Sequence, residues 1–151
     1  MFRNIADHGI ETVERRQYLG KNPEGLVKVD TQYLPNRKDR FLMTISDDGG
    51  GVNFRRIREK LKEKNRAAEA ERATDQELLE YLFEPGFSTA QEVTDLSGRG
   101  VGLDAVRASV KALNGRMWME STPNEGTTFF FELPVLREFS FSETAPIKLA
   151  A

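Results

Sequence analysis

Two pairs of apolar, β-rich runs constrain this chain most. "LVKVDTQYL" (26–34) and "RFLMTIS" (40–46) are separated by "PNRKD", and "RMWMEST" (116–122) and "TTFFFEL" (127–133) by "PNEG". Partial period-two alternation marks strands, and Pro-Asn is turn chemistry, so each pair predicts a hairpin. Between the pairs the pattern turns helical. Asn53 is placed to cap a helix over 53–72, with Ile57 and Leu61 as its thin apolar stripe. "TDQE" (74–77) is a capping box that opens a second helix over 75–82. Leu103, Val106, Val110 and Leu113 recur at helical spacing over 102–113, and Asn114-Gly115 supplies the stop. Residues 1–9 read as the end of a helix stopped at Gly9. Strand pairs with helices grouped between them predict an α+β fold: a two-layer α/β sandwich, mixed or mainly antiparallel, with its helices on one face. The Phe129-Phe130-Phe131 run cannot all face one side, and one face of it must pack on a helix or a partner. Met117 and Met119 read as core.

The chain has 151 residues, a net charge of -2 and no cysteine. That length fits one domain, expected over 1–136, with a patternless tail over 137–151. No apolar run approaches the roughly 20 residues of a membrane span, and no signal peptide opens the chain, so a cytoplasmic location without membrane attachment is expected. Without cysteine there is neither a disulfide framework nor a thiolate zinc site. The charge balance argues against nucleic acid as a partner.

Two glycine-rich stretches carry the chemistry. "SGRGVGLD" (97–104) places Gly98, Gly100 and Gly102 directly before a helix. Bare backbone lets amide N–H groups converge on an anion, and a helix N-terminus adds unpaired donors and a positive dipole end. The stretch predicts a phosphate cradle, with Arg99 adding charge. A dinucleotide fingerprint should follow a strand directly, and here a long loop precedes the glycines. The Gly-Lys-Ser/Thr of the Walker loop is absent. "SDDGGGV" (46–52) ends a strand with carboxylates and then glycines, an arrangement that can offer an acceptor to an amino group on a flat ring. By itself it reads as a tight turn. In "RNIADHG" (3–9), Asn4 and His8 are four apart and share a helix face. An Asn oxygen can complete a Mg²⁺ shell made mostly of waters and phosphates.

Taken in order, "RNIADHG", "DDGGG", "FEPGFST", "SGRGVGLD" and "GTTFFFELP" resemble the ATP-binding domain of the superfamily of gyrase, heat-shock chaperone, histidine kinase and mismatch-repair ATPases. They are most similar to the chemotaxis-type histidine kinases, over residues 2 to about 136. The resemblance implies a Bergerat-type ATP-binding fold and Mg-ATP as ligand. It implies that Asn4 completes the Mg²⁺ shell, that His8 lies near the nucleotide, and that Asp48 accepts from the adenine amino group with Gly50 near the ring. Phe83, Pro85, Gly86, Phe87, Ser88 and Thr89 would form the front of a lid, and Gly98, Arg99, Gly100, Val101 and Gly102 its phosphate side. Thr127 would support the adenine pocket through water.

The resemblance also implies phosphoryl transfer to a histidine on another domain or chain, within a response-regulator pathway. In these kinases the catalytic base precedes the Asn by four residues. Here that position falls before Met1, so nucleotide binding is expected to outlast catalysis. The family's first strand and much of its first helix would also precede Met1; a second copy covering the gap is one expectation, and a longer protein of which this chain is a fragment is the other. The alternative is a non-catalytic nucleotide-binding or protein-interaction module. An anti-sigma-type serine kinase is a weaker third reading, disfavoured by the "PGFSTAQEVTDLSGRGVG" box.

Overall fold

The structure is a computed structural model that describes residues 2, 5–87 and 102–135, apart from the side chains of residues 7, 8 and 38. The chain opens with a π-helical turn, Ile5–Gly9, followed by the short helix α1 (Val13–Tyr18). The first hairpin is β1 (Val27–Leu34) and β2 (Arg37–Asp47), joined by Pro35-Asn36 alone. The helices α2 (Phe54–Glu63), α3 (Ala67–Arg72), α4 (Asp75–Tyr81) and α5 (Leu103–Ala112) follow. The second hairpin, β3 (Arg116–Thr122) and β4 (Gly126–Pro134), closes the described chain.

The sheet order is β1-β2-β4-β3, and every described pairing is antiparallel. The two predicted hairpins therefore join through their second strands. Register decides what faces the helices. Asp47 pairs with Thr127, Ile45 with Phe129 and Met43 with Phe131, while Phe129 and Phe131 pair with Met119 and Met117. Opposed residues share a face, so these side chains form one floor. Ile45, Met117, Met119, Phe129 and Phe131 pack there against Ile5, Leu79, Phe83 and Val110. Burial of that floor is the main favourable term in folding. Phe130 points the other way, as alternation requires, and stacks on Trp118 with centroids 5.1 Å apart and planes 3° from parallel. The α+β two-layer arrangement read from the sequence is the one observed.

A second cluster lies among the helices. Ile57, Leu61, Ala70, Leu78 and Phe87 pack together, which gives α2, α3 and α4 a core of their own. The helix expected over 53–72 is broken in two. Asn65 takes a left-handed φ of 61°, and this lets α3 fold back onto α2. The predicted caps are present: Asn53 Oδ1 accepts from Arg56 N, and Thr74 and Glu77 form the full capping box.

Polar links hold this subdomain. The Arg66 guanidinium donates to both Glu69 and Glu84 and lies over the Tyr81 ring, while the Tyr81 hydroxyl donates to Glu69. Hydrogen bonds from Arg66 and then Tyr81 hold the Glu69 carboxyl down from 4.5 to about 2. A depressed carboxyl contributes stability above its unfolded value and loses it as pH falls through its folded value. Thermal melting of the wild type should therefore decline between pH 4.5 and about 2, and Glu69→Gln should flatten that stretch of the melting-temperature profile.

Candidate functional site

The turn that ends β2 is held against two other segments. Gly50 N donates to Gly9 O at 2.9 Å, Asn124 N donates to Gly50 O at 2.8 Å, and Val52 N donates to the Ser121 hydroxyl at 2.8 Å. The π-turn, the β2 end and the β3–β4 hairpin tip thus meet at one place. Packing there leaves no room for side chains at two glycines. A Cβ on Gly49 would lie 2.1 Å from Gly9 O. Gly51 has φ +68°, and a Cβ there would lie 2.4 Å from Thr122 O.

Asp47 is the carboxylate that this arrangement encloses. It sits on the inner face, 9% exposed, with Oδ1 accepting from Gly49 N at 3.0 Å. Burial pushes its pKa up, the nearby charges of Asp48 and Glu11 push the same way, and backbone N–H groups of Gly49 and Thr127 oppose them. Beside it, the hydroxyls of Ser121 and Thr127 lie 3.1 Å apart, and Thr127 is buried. The site therefore offers a desolvated acceptor, two hydroxyls and bare backbone. That donor set fits a flat heteroaromatic ring carrying an exocyclic amino group.

Asp48, expected to face the purine, has both carboxylate oxygens engaged elsewhere. Oδ2 is 2.7 Å from Arg16 Nη2, and Oδ1 accepts from Leu26 N at 2.8 Å. Burial would raise its pKa, but the Arg16 hydrogen bond, the Leu26 N–H and the charges of Arg16 and Lys21 together hold it below the usual aspartate value. The physical reason is strand parity. Ile45 and Asp47 are two apart and share the inner face, and Asp48 falls one residue out of phase. Alternation from Met43 and Ile45 was the sequence signal that distinguishes the two aspartates. Gly50, expected beside the ring, has only ordinary contacts: a Cβ there would meet Glu11 Cγ at 3.7 Å.

Arg16 itself was invisible to pattern reading. It is fully buried and donates to Asn22 O, Glu24 O, Asp48 O, Glu11 and Asp48. Of the remaining expected residues, Gly102 is the N-cap of α5, with its carbonyl accepting from Ala105 N and Val106 N. Phe83 and Phe87 are buried, each in a different cluster. His8 belongs to the π-turn by its backbone. Its side chain, together with Asn4, Ser88, Thr89, Gly98, Arg99, Gly100 and Val101, lies outside the described residues.

An antiparallel sheet floored by apolar side chains, with helices on that face, a buried Asp before a glycine turn and a helix capped by glycine, makes this a two-layer α+β domain. Residues 1–137 match the family of histidine kinase-, DNA gyrase B- and HSP90-like ATPases, and the chain belongs to that family. Within it, the chain is similar to the histidine-kinase ATPase domain of chemotaxis protein CheA. It is 46% identical over 135 residues to CheA from Cereibacter sphaeroides and 41% identical over 135 residues to CheA from Rhizobium meliloti, covering 89% of this chain in each case. The chain spans only 19% and 17% of the length of those two relatives. Among solved structures, the catalytic domain of histidine kinase ThkA is 22% identical, covers 87% of this chain and 61% of that one, and aligns with a TM-score of 0.46. No helix among the described residues is long and apolar enough to cross a membrane.

Proposed function

We propose that this chain binds Mg-ATP, with the adenine amino group donating to Asp47 rather than to Asp48. The supporting observation is the buried Asp47 carboxyl, which has no cationic partner among the described residues, at a turn where Gly49 admits no side chain. Ser121 and Thr127 stand beside it to hold the ring, directly or through water. The nucleotide's phosphates would run toward the N-terminus of α5 at Gly102, where free N–H groups and the helix dipole favour negative charge. In this reading Gly98, Arg99, Gly100 and Val101 complete the phosphate side, and Ser88 and Thr89 the front of the lid. Asn4 would hold Mg²⁺ together with the phosphates, and His8 would lie near the nucleotide. Bound Mg²⁺ would neutralise the charge on the transferring phosphoryl group.

The fuller reading is the nucleotide-binding part of a histidine kinase of chemotaxis type. It would present the γ-phosphoryl group to a histidine on another domain or chain of a response-regulator pathway in the cytoplasm. Similarity to CheA supports it. A second copy of the chain is a further proposed partner. In support, β1 is solvent-exposed along nearly its whole length, with Val29 and Tyr33 open on the inner face.

Calorimetric titration of Mg-ADP into the chain tests the binding step. Saturable heat is expected, weakening on the acid side at a pH above 3.8 as the raised Asp47 carboxyl takes its proton. No heat up to millimolar ligand would contradict the reading. Acidification also reports on folding with a definite sign. A carboxyl whose pKa is raised by folding favours the native state at low pH and loses that contribution as pH rises through its folded value. Weakened binding in acid is therefore not a by-product of this group's effect on stability.

A further inference from the structure

Lys21 has no place in the expected set of site residues, yet it grips the turn that carries Asp47. Its Nζ donates to Glu11 Oε1 at 2.7 Å, to Asp48 O at 2.8 Å and to Gly49 O at 2.8 Å. The carbonyl of Asp48 and the N–H of Gly49 belong to one peptide unit. That unit is planar and trans, so its C=O and N–H point in opposite directions and move together. At one end, Lys21 Nζ and Arg16 Nη1 hold the oxygen, at 2.8 and 3.2 Å. At the other end, the N–H holds Asp47 Oδ1 at 3.0 Å. The next unit repeats the device: Gly49 O accepts from Lys21, and Gly50 N donates to Gly9 O at 2.9 Å. Cations on the carbonyl also polarise the peptide and strengthen its N–H as a donor.

We propose that Lys21 is a positioning residue for purine recognition, acting on the Asp47 carboxylate through the Asp48–Gly49 peptide. The inference rests on the reading of Asp47 as the purine acceptor and adds a determinant of base specificity to it. Arg16 shares the task but is wholly buried among five partners, so its removal disturbs the fold as well. The Lys21 side chain is 17% exposed, at the edge of the cluster, and its partner Glu11 keeps a bond to Arg16. Lys21 is therefore the place where positioning separates from folding.

The test uses the full chain and two ligands that differ at the purine 6-position, Mg-ADP and Mg-IDP. The 6-amino group of ADP donates to a carboxylate, and the 6-oxo group of IDP cannot. Wild type should prefer ADP by about tenfold or more, the range expected when a charged acceptor loses its donor. Lys21→Met should weaken Mg-ADP by about tenfold and bring the ADP-to-IDP preference to about threefold or less. Lys21→Arg, which keeps a cationic donor, should restore the preference. The preference is a ratio taken on one folded state, so partial unfolding lowers both affinities alike and leaves it unchanged. Should Lys21→Met yield no folded protein, Lys21→Gln, with a shorter neutral amide, is read by the same ratio. A wild-type preference in a folded Lys21→Met or Lys21→Gln variant overturns the proposal and leaves the nucleotide reading standing. A wild type that binds neither ligand overturns both.

Discussion

Asp47→Asn should cost the chain most of its proposed nucleotide binding and leave the fold intact. The variant keeps a carbonyl oxygen for the Gly49 N–H that Asp47 Oδ1 now accepts. It replaces the second acceptor by an NH₂ group, which meets the adenine amino group donor to donor. Losing a charge-assisted bond and burying two opposed donors should together weaken Mg-ADP by about 100-fold or more. The melting temperature should hold or rise, because folding now penalises the ionised Asp47 carboxyl by burying it. Asp48→Asn should show the opposite profile. It leaves the buried Arg16 guanidinium without one of its two carboxylate partners, so stability falls while Mg-ADP binding weakens by about tenfold or less. Calorimetry and thermal melting on the two variants read both halves of the contrast.

Arg16→Met should have the largest effect on folding of any substitution around the turn. Its guanidinium donates to three backbone carbonyls and two carboxylates, and Lys21 shares only the Asp48 carbonyl and Glu11 with it. Removing one partner of a buried ion pair costs far more than the pair's net worth, because the remaining charges stay desolvated. A drop of about 10 °C or more in melting temperature is expected by circular dichroism. Arg16→Lys should recover only part of it, since an ammonium cannot reproduce the planar fork. The acid limb should change as well. The wild-type Asp48 carboxyl is held below 3.8, so its contribution is present above that value and lost as pH falls through the folded one. Without Arg16 the raising effect of burial faces weaker opposition, so the folded value rises toward the unfolded one and this acid-side loss shrinks.

Sheet, hairpins and caps were legible because they depend on local signals: alternation in "LVKVDTQYL", Pro-Asn turns, and the Thr74–Glu77 box. Four features were not. Helix α1 is six residues long, exposes Val13 and Tyr18, and buries a charge, so no apolar stripe announces it. The break between α2 and α3 depends on one left-handed Asn65, whereas the composition of 53–72 is helical throughout. The choice between Asp47 and Asp48 turns on register, which alternation through Met43 and Ile45 contained but the Asp-Asp-Gly motif alone did not. The ionic cluster of Glu11, Arg16, Lys21 and Asp48 joins residues up to 37 apart in sequence, and no periodic signal connects them.

The most direct test is a crystal structure of the chain with Mg-ADP. The adenine amino nitrogen should lie about 3 Å from a carboxylate oxygen of Asp47, with Asp48 still paired to Arg16. An adenine bonded to Asp48 with the Arg16 pair broken, or a nucleotide seated away from the β2 turn, would contradict the account.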